Sequence, residues 1–161
     1  MNIRVGLGFD VHQFEDGNEI ILGGISIPFN KKLKGHSDAD VLLHSIADAL
    51  LGALALGDIG THFPDSDEAY KNADSGQLLK QVYQLVNNKG YQLGNVDATV
   101  VAELPKLNPH MDSIRKKIAD LLNCSIEQIS VKATTNEKLG FIGREEGLSV
   151  HSVVLIERIA L

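Results

Sequence analysis

Residues 3–12, Ile-Arg-Val-Gly-Leu-Gly-Phe-Asp-Val-His, alternate in the manner of an opening β-strand. Two short apolar runs follow, Ile20-Ile21-Leu22 and Ile25-Ser26-Ile27, separated by Gly23-Gly24, a pair suited to the positive φ angles of a tight turn, so a small hairpin is expected. From about residue 39 to 56 the period changes: Leu43, Ile46, Ala47, Leu50 and Leu54 recur at three- and four-residue steps, the stripe of an amphipathic helix that Gly57 would stop. Residues 58–74 are polar, contain Pro64 and hold no period, which predicts a long surface loop. A second helix is predicted over 76–89, capped by Asp74 or Ser75, inward on Leu78, Leu79, Val82, Leu85 and Val86, and ended by Gly90. Residues 96–104 read as a strand. The third helix takes Asn108 as N-cap and Pro109 as its first residue, with Met111, Ile114, Ile118, Leu121 and Leu122 inward. Strands over 129–135 and 149–159 finish the chain, around a loop with Gly140, Gly143 and Gly147.

The order β, hairpin, α, α, β, α, β, β predicts an α+β fold in a single domain over 1–161: a mixed four-stranded sheet with helices on one face, plus the hairpin. The other sheet face then needs a cover. The apolar spread of Val150, Val153, Val154, Leu155 and Ile156 makes self-association the simple answer.

With 161 residues, 43% of them hydrophobic, the chain can bury a core without a staple. Its single cysteine, Cys124, cannot close an intrachain disulfide and reads as a small buried hydrophobe. The opening Met1-Asn2-Ile3-Arg4 shows no leader pattern and no later run matches a membrane span, so the expected location is the cytoplasm. The net charge of −6, from 15 Lys+Arg against 21 Asp+Glu, argues against a nucleic-acid polymer as partner but not against a small phosphorylated molecule, for which metals and helix N-termini can supply local positive charge.

Chemistry concentrates in a few segments. Alternation puts Asp10 and His12 on one strand face, about 6.8 Å apart. With His44 on the first long helix they offer one carboxylate and two imidazoles, a set that suits zinc with an open fourth position. Asp40 and Asp48 lie one helical step either side of His44, where either could orient its ring. Read alone, His12 and His44 are equally ordinary polar residues near a helix end. Gly35-His36-Ser37-Asp38-Ala39-Asp40 leads into that helix, whose free N–H groups favour phosphate; a plain capping sequence with Ser37 or Asp38 as N-cap explains everything in it except His36. Lys132-Ala133-Thr134-Thr135-Asn136-Glu137 brings hydroxyls and a carboxylate to a strand exit, and one carboxylate suffices to share Mg²⁺ with substrate phosphates. Lys106, after Pro105, is either a point charge for a diphosphate or a solvated lysine.

Taken in order, Gly8-Phe9-Asp10-Val11-His12, Gly35 to Val41 with Leu43-His44, Asp58-Ile59-Gly60 with Phe63-Pro64-Asp65, Pro105-Lys106, and Lys132 to Thr135 with Glu137 to Phe141 and Gly143-Arg144 resemble the 2-C-methyl-D-erythritol 2,4-cyclodiphosphate synthase family of non-mevalonate isoprenoid biosynthesis, from Arg4 to Glu157. The resemblance implies a lyase that turns 4-diphosphocytidyl-2-C-methyl-D-erythritol 2-phosphate into the cyclic diphosphate and CMP. It implies that Asp10, His12 and His44 hold Zn²⁺, and that Glu137 joins phosphate oxygens around Mg²⁺ or Mn²⁺. His36 and Ser37 would contact the methylerythritol phosphate, Asp58, Ile59 and Gly60 would stand on its wall, and Phe63, Pro64, Asp65, Ser66 and Asp67 would line its pocket. The cytidine pocket would be Ala102, Glu103, Leu104, Pro105, Lys106, Leu107 and Asn108 with Ala133, Thr134 and Thr135. His36 and Thr135 would be the transition-state donors. The family is homotrimeric, with sites between subunits. Phe141 and Arg144, together with Glu146, match small-molecule contacts around its central cavity. A metal-dependent phosphate-ester hydrolase, and a trimeric metal- or isoprenoid-binding protein without turnover, compete with this reading.

Overall fold

A computed structural model describes residues 2–64 and 73–159. The opening strand β1 (Ile3–Asp16) is followed by the hairpin β2 (Glu19–Leu22) and β3 (Ile25–Pro28), the short β4 (Lys31–Leu33), and helices α1 (Val41–Ala53), α2 (Ile59–His62) and α3 (Ser75–Asn88). Then come β5 (Tyr91–Val101), α4 (Met111–Leu121), β6 (Ile129–Thr134), α5 (Gly140–Gly143) and β7 (Gly147–Arg158).

The main sheet has five strands in the order β4-β1-β7-β5-β6, one more than predicted. The extra strand is β4, three residues pairing Phe14–Asp16 of β1, too short for any period to announce it. The sheet is mixed: β7 runs antiparallel to both β1 and β5, whereas β5 and β6 are parallel and joined through α4. The hairpin forms as expected, with Gly23 at φ +63° and Gly24 at φ +74°. β5 starts at Tyr91 rather than 96, and a bulge between Leu93 and Asn95 lets the strand keep Leu93, Val96, Ala98 and Val100 on its buried face.

Helices cover one sheet face, as the pattern predicted. Leu148, Val150, Ser152, Val154 and Ile156 of β7 point into that layer, and Ile46, Leu50 and Leu51 of α1 meet them in the core. The closest approach is at Gly6 and Gly8 of β1, where a built Cβ would lie 1.8 Å from the carbonyl oxygens of Ala49 and Ser45 respectively. Two glycines on one strand face thus let α1 lie directly on β1, antiparallel to it. That contact sets the site, because the next residues on the same face are Asp10 and His12, and the helix end arriving beside them carries His44.

The opposite face carries Val5, Leu7, Phe9 and Val11 of β1 beside His151 and Val153 of β7. Leu7 is 68% and Val5 62% exposed, and the half-exposed Phe9 packs against the His151 ring at 4.9 Å.

Several local expectations change. The N-cap of α1 is Asp40, not Ser37 or Asp38: fully buried, it accepts the N–H of Leu43 at 3.1 Å and reaches across to the N–H groups of Gly23 and Gly24 at 2.9 and 2.6 Å. One side chain thereby caps the helix and fastens the hairpin. The 58–74 stretch is not all loop, since Asp58 caps the one-turn α2. Asn108-Pro109-His110 make a 3₁₀ turn and α4 begins at Met111. Cys124 is half-buried rather than buried.

Candidate active site

Asp10, His12 and His44 converge on the helix-covered face, and each turns one ligand atom into a group whose members all lie within 4.8 Å of one another. The Asp10 carboxylate is the hinge: its Oδ2 is 3.0 Å from His12 Nε2 and 3.2 Å from His44 Nδ1. Burial works against ionising Asp10, but hydrogen bonds and charge from the two imidazoles outweigh it and hold its carboxyl at about 2. For His12 burial pushes the pKa down, and the Asp10 carboxylate with the Lys34 carbonyl more than reverses this, so it titrates above its ordinary value.

The donor set fits a divalent metal. A carboxylate and two imidazoles match a zinc site with open coordination. Moreover, His12 Nδ1 is 2.6 Å from the Lys34 carbonyl, an acceptor only, so Nδ1 carries a proton and Nε2, turned toward Asp10, is the nitrogen a metal would take by displacing its proton. His36 adds an unspent group nearby, since its Nε2 is buried and has no hydrogen-bond partner among the described residues.

These residues line a cavity of about 290 Å³ with Gly35, Ser37, Asp48, Ile59, Gly60, Phe63 and Leu78. Asp48 serves the wall, accepting the Ile59 N–H at 2.7 Å and so fixing α2. Burial, partly offset by that N–H, raises the Asp48 carboxyl above the ordinary range. Asp58 stands behind the wall, accepting the N–H and hydroxyl of Thr61, both at 2.8 Å. Pro64 is exposed outside the lining, and Asp65, Ser66 and Asp67 lie outside the described residues. Neither Asp40 nor Asp48 orients His44; both carboxylates are spent on backbone N–H groups instead.

The predicted cytidine residues gather separately, in a cavity of about 170 Å³ at the exits of β5 and β6, lined by Ala102, Glu103, Pro105 to Asn108 and Ala133 to Thr135. Leu104 is partly exposed beside it, ahead of a cis peptide to Pro105, and Leu107 is mainly core. Glu103 works for the backbone, accepting the N–H of Asn136 at 3.1 Å and of Lys138 at 3.0 Å. It thus holds the turn in which Glu137 and Lys138 both take positive φ, 50° and 61°. Thr135 donates its hydroxyl to Glu137 Oε1 at 3.2 Å. Asp10, Val150, Val100 and Ala133 are partners in one row across the sheet, so about 14 Å separates the Asp10 and Ala133 backbones at ~4.8 Å per strand. They share no lining residue, and Glu137 is not part of the Asp10 cluster.

Phe141 lines a third cavity of about 210 Å³ with Val11, His12, Gln13, Glu146 and Gly147. Arg144 is outside it, exposed and paired in bidentate fashion with Glu146 at 2.8 and 3.2 Å.

Fold and cluster together define an α+β domain that carries a carboxylate–bis-imidazole cluster able to hold a metal ion. The chain belongs to the YgbB family, whose sequence profile matches residues 3–157. It is 59% identical over 155 residues to a 2-C-methyl-D-erythritol 2,4-cyclodiphosphate synthase of Bacillus cytotoxicus, covering 96% of this chain and 98% of that one. Among solved structures it resembles the bifunctional IspDF of Campylobacter jejuni (TM-score 0.94, 48% identity), matching 98% of this chain but spanning only 42% of that protein. It also resembles IspF of Plasmodium falciparum, solved as a CDP complex (TM-score 0.87, 38% identity, 99% of this chain and 98% of that one). No helix among the described residues is long and apolar enough to cross a membrane.

Proposed function

We propose that the protein is a metal-dependent 2-C-methyl-D-erythritol 2,4-cyclodiphosphate synthase, acting on 4-diphosphocytidyl-2-C-methyl-D-erythritol 2-phosphate. The observation that carries this is one cavity lined by both a three-residue set of candidate metal ligands and a buried His36 nitrogen with no hydrogen-bond partner among the described residues, in a chain 59% identical to proteins of that name.

In the reaction, an oxygen of the 2-phosphate attacks the β-phosphorus of the diphosphate. The bond from that phosphorus to the bridging oxygen breaks, and CMP leaves with the electron pair. No enzyme nucleophile is required. A Zn²⁺ held by Asp10, His12 and His44, and an Mg²⁺ or Mn²⁺ held through Glu137, would neutralise phosphate charge and polarise the phosphoryl oxygens. The chain supplies position and donors. His36 and Ser37 hold the methylerythritol phosphate against the wall of Ile59, Gly60 and Phe63, and His36 Nε2 is available to donate to the transferring group. The Ala102–Asn108 and Ala133–Thr135 segments hold the nucleotide, with Lys106 as a point charge and the Thr135 hydroxyl as a second donor. Closing a flexible chain into a ring is an orientation problem, and good positioning is worth on the order of 7–11 kcal/mol.

The two cavities, which share no lining residue in one protomer, favour a site completed between subunits. The exposed apolar row Val5, Leu7, Phe9, Val11 and Val153 fits a homotrimer interface that would bring them together and enclose the Phe141 and Arg144 region. The domain is read as one unit over 1–161, working in the cytoplasm.

Turnover in ¹⁸O-water tests the reaction type. A cyclase forms CMP and cyclic diphosphate without the label; label in the products means phosphate-ester hydrolysis and overturns the reading.

A further inference from the structure

His12 has its free proton fixed by a backbone carbonyl, but the partner that would do the same for His44 came from no residue near it in sequence. The structure supplies one. Ser75, the first residue of α3 and 31 positions from His44, puts its Oγ 2.7 Å from His44 Nε2, and Asp38 grips Ser75 from behind. The Ser75 hydroxyl donates to Asp38 Oδ1, and the Ser75 backbone N–H donates to Asp38 Oδ2 at 3.0 Å. Asp38 is held in turn: its Oδ1 accepts the Asp40 N–H at 3.1 Å, and its own N–H donates to the Ala73 carbonyl at 3.2 Å.

The direction of every proton in this chain follows from donor counting. A carboxylate accepts only, so the single Ser75 hydroxyl proton goes to Asp38. Oγ then offers His44 lone pairs alone, and Nε2 has to be the donor. Ser37 Oγ, 3.2 Å from the same nitrogen and already accepting the Ala39 N–H at 3.2 Å, is a weaker second acceptor. With the Nε2 proton held by Ser75, Nδ1, which faces the acceptor Asp10 Oδ2 at 3.2 Å in the metal-free fold, is the nitrogen whose proton a metal would displace, leaving the Nδ1 lone pair for coordination.

We propose that Ser75, locked by Asp38, is a positioning residue that fixes the His44 tautomer and ring orientation so that Nδ1 is presented as a metal ligand. The inference rests on reading Asp10, His12 and His44 as a metal site. It gives the N-terminus of α3 a part in the chemistry and explains why Ser75, a polar residue, is only 1% exposed. Such outer partners are typically worth about 10–100-fold in metal affinity or activity.

The test uses ¹⁵N-labelled full-length protein loaded with Zn²⁺, read by histidine-ring NMR and by chelator competition, for the wild type, Ser75→Ala and Ser75→Thr. In the wild type His44 binds through Nδ1 and shows an Nε2–H resonance protected from solvent exchange. Ser75→Ala loses that protection and binds Zn²⁺ about 10–100-fold more weakly. Ser75→Thr, which keeps the hydroxyl, restores both. Coordination through Nε2, or a freely exchanging Nε2–H in the wild type, overturns the proposal whether or not the variants fold. So does a folded Ser75→Ala with unchanged protection and affinity, and that result leaves the metal site intact. A wild-type protein that holds no Zn²⁺ removes the metal reading and this inference together.

Discussion

Replacing Gly8 by alanine tests the link between packing and site. The new Cβ would lie 1.8 Å from the Ser45 carbonyl oxygen, short of the 3.4 Å of ordinary contact by about 1.6 Å, with Ser45 C at 2.8 Å and Ala49 N at 2.9 Å. All three are helix backbone atoms, so no side chain can swing aside; α1 has to back away from β1. Overpacking of this kind costs roughly 1–3 kcal/mol, and the upper end is expected here. The displaced helix carries His44 next to Ser45. A misplacement of about 1 Å at a catalytic group can cost on the order of 100-fold in rate. Gly52→Ala is the matched control: it lies on the exposed side of the same helix, its nearest neighbour would be the Leu7 carbonyl at 3.7 Å, and the change should stabilise by roughly 0.4–1 kcal/mol without touching turnover. Urea unfolding followed by far-UV circular dichroism, at one fixed protomer concentration, gives the stability difference, and CMP release gives the rate. A Gly8→Ala protein as stable and as active as the wild type would refute the claim that this contact seats His44.

Three further outcomes are expected. His44→Ala should lose zinc and turnover while keeping its circular dichroism spectrum, because the side chain lines a cavity and is no part of the hydrophobic core; an unfolded variant would make His44 structural. Glu137→Gln should keep zinc yet lose the Mg²⁺ dependence of turnover, and a wild-type Mg²⁺ response would remove Glu137 from the site. For pH, His12 titrates above 6.5 in the metal-free fold, so its stabilising contribution is complete below 6.5 and is lost as pH rises through its folded value. Zinc must displace that proton, so zinc affinity in competition titrations should climb through the same window by up to about tenfold per pH unit; a flat profile there would contradict the Asp10–His12 pairing. Asp10, at about 2, stays ionised throughout and adds no slope; its own contribution is present above 3.8 and lost only as pH falls toward 2.

The elements with a sustained period, α1, α3 and the long strands, were legible in the sequence, as was the Gly23-Gly24 hairpin. Asp10 and His12 were legible as a pair because strand alternation fixes their common face. β4 was not, since three residues carry no period. The N-cap Asp40 was missed because Ser37 and Asp38 offer the same local signal, and only the distant N–H groups of Gly23 and Gly24 decide between them. Ser75 was visible only as a capping candidate: nothing local to 74–76 reveals that α3 begins against His44, a contact set by tertiary packing. The function of Gly8 is hidden for the same reason, because a glycine in a strand weakens the local pattern while the fold requires the missing Cβ.

The central claim, metal-dependent cyclisation, is tested most directly by ³¹P NMR of the purified protein with 4-diphosphocytidyl-2-C-methyl-D-erythritol 2-phosphate, first with Zn²⁺ and Mg²⁺ and then with EDTA. The account predicts that CMP and a cyclic diphosphate appear together with metal and that neither appears with chelator. Linear phosphate products, or an unchanged spectrum from a folded, metal-loaded protein, would contradict it.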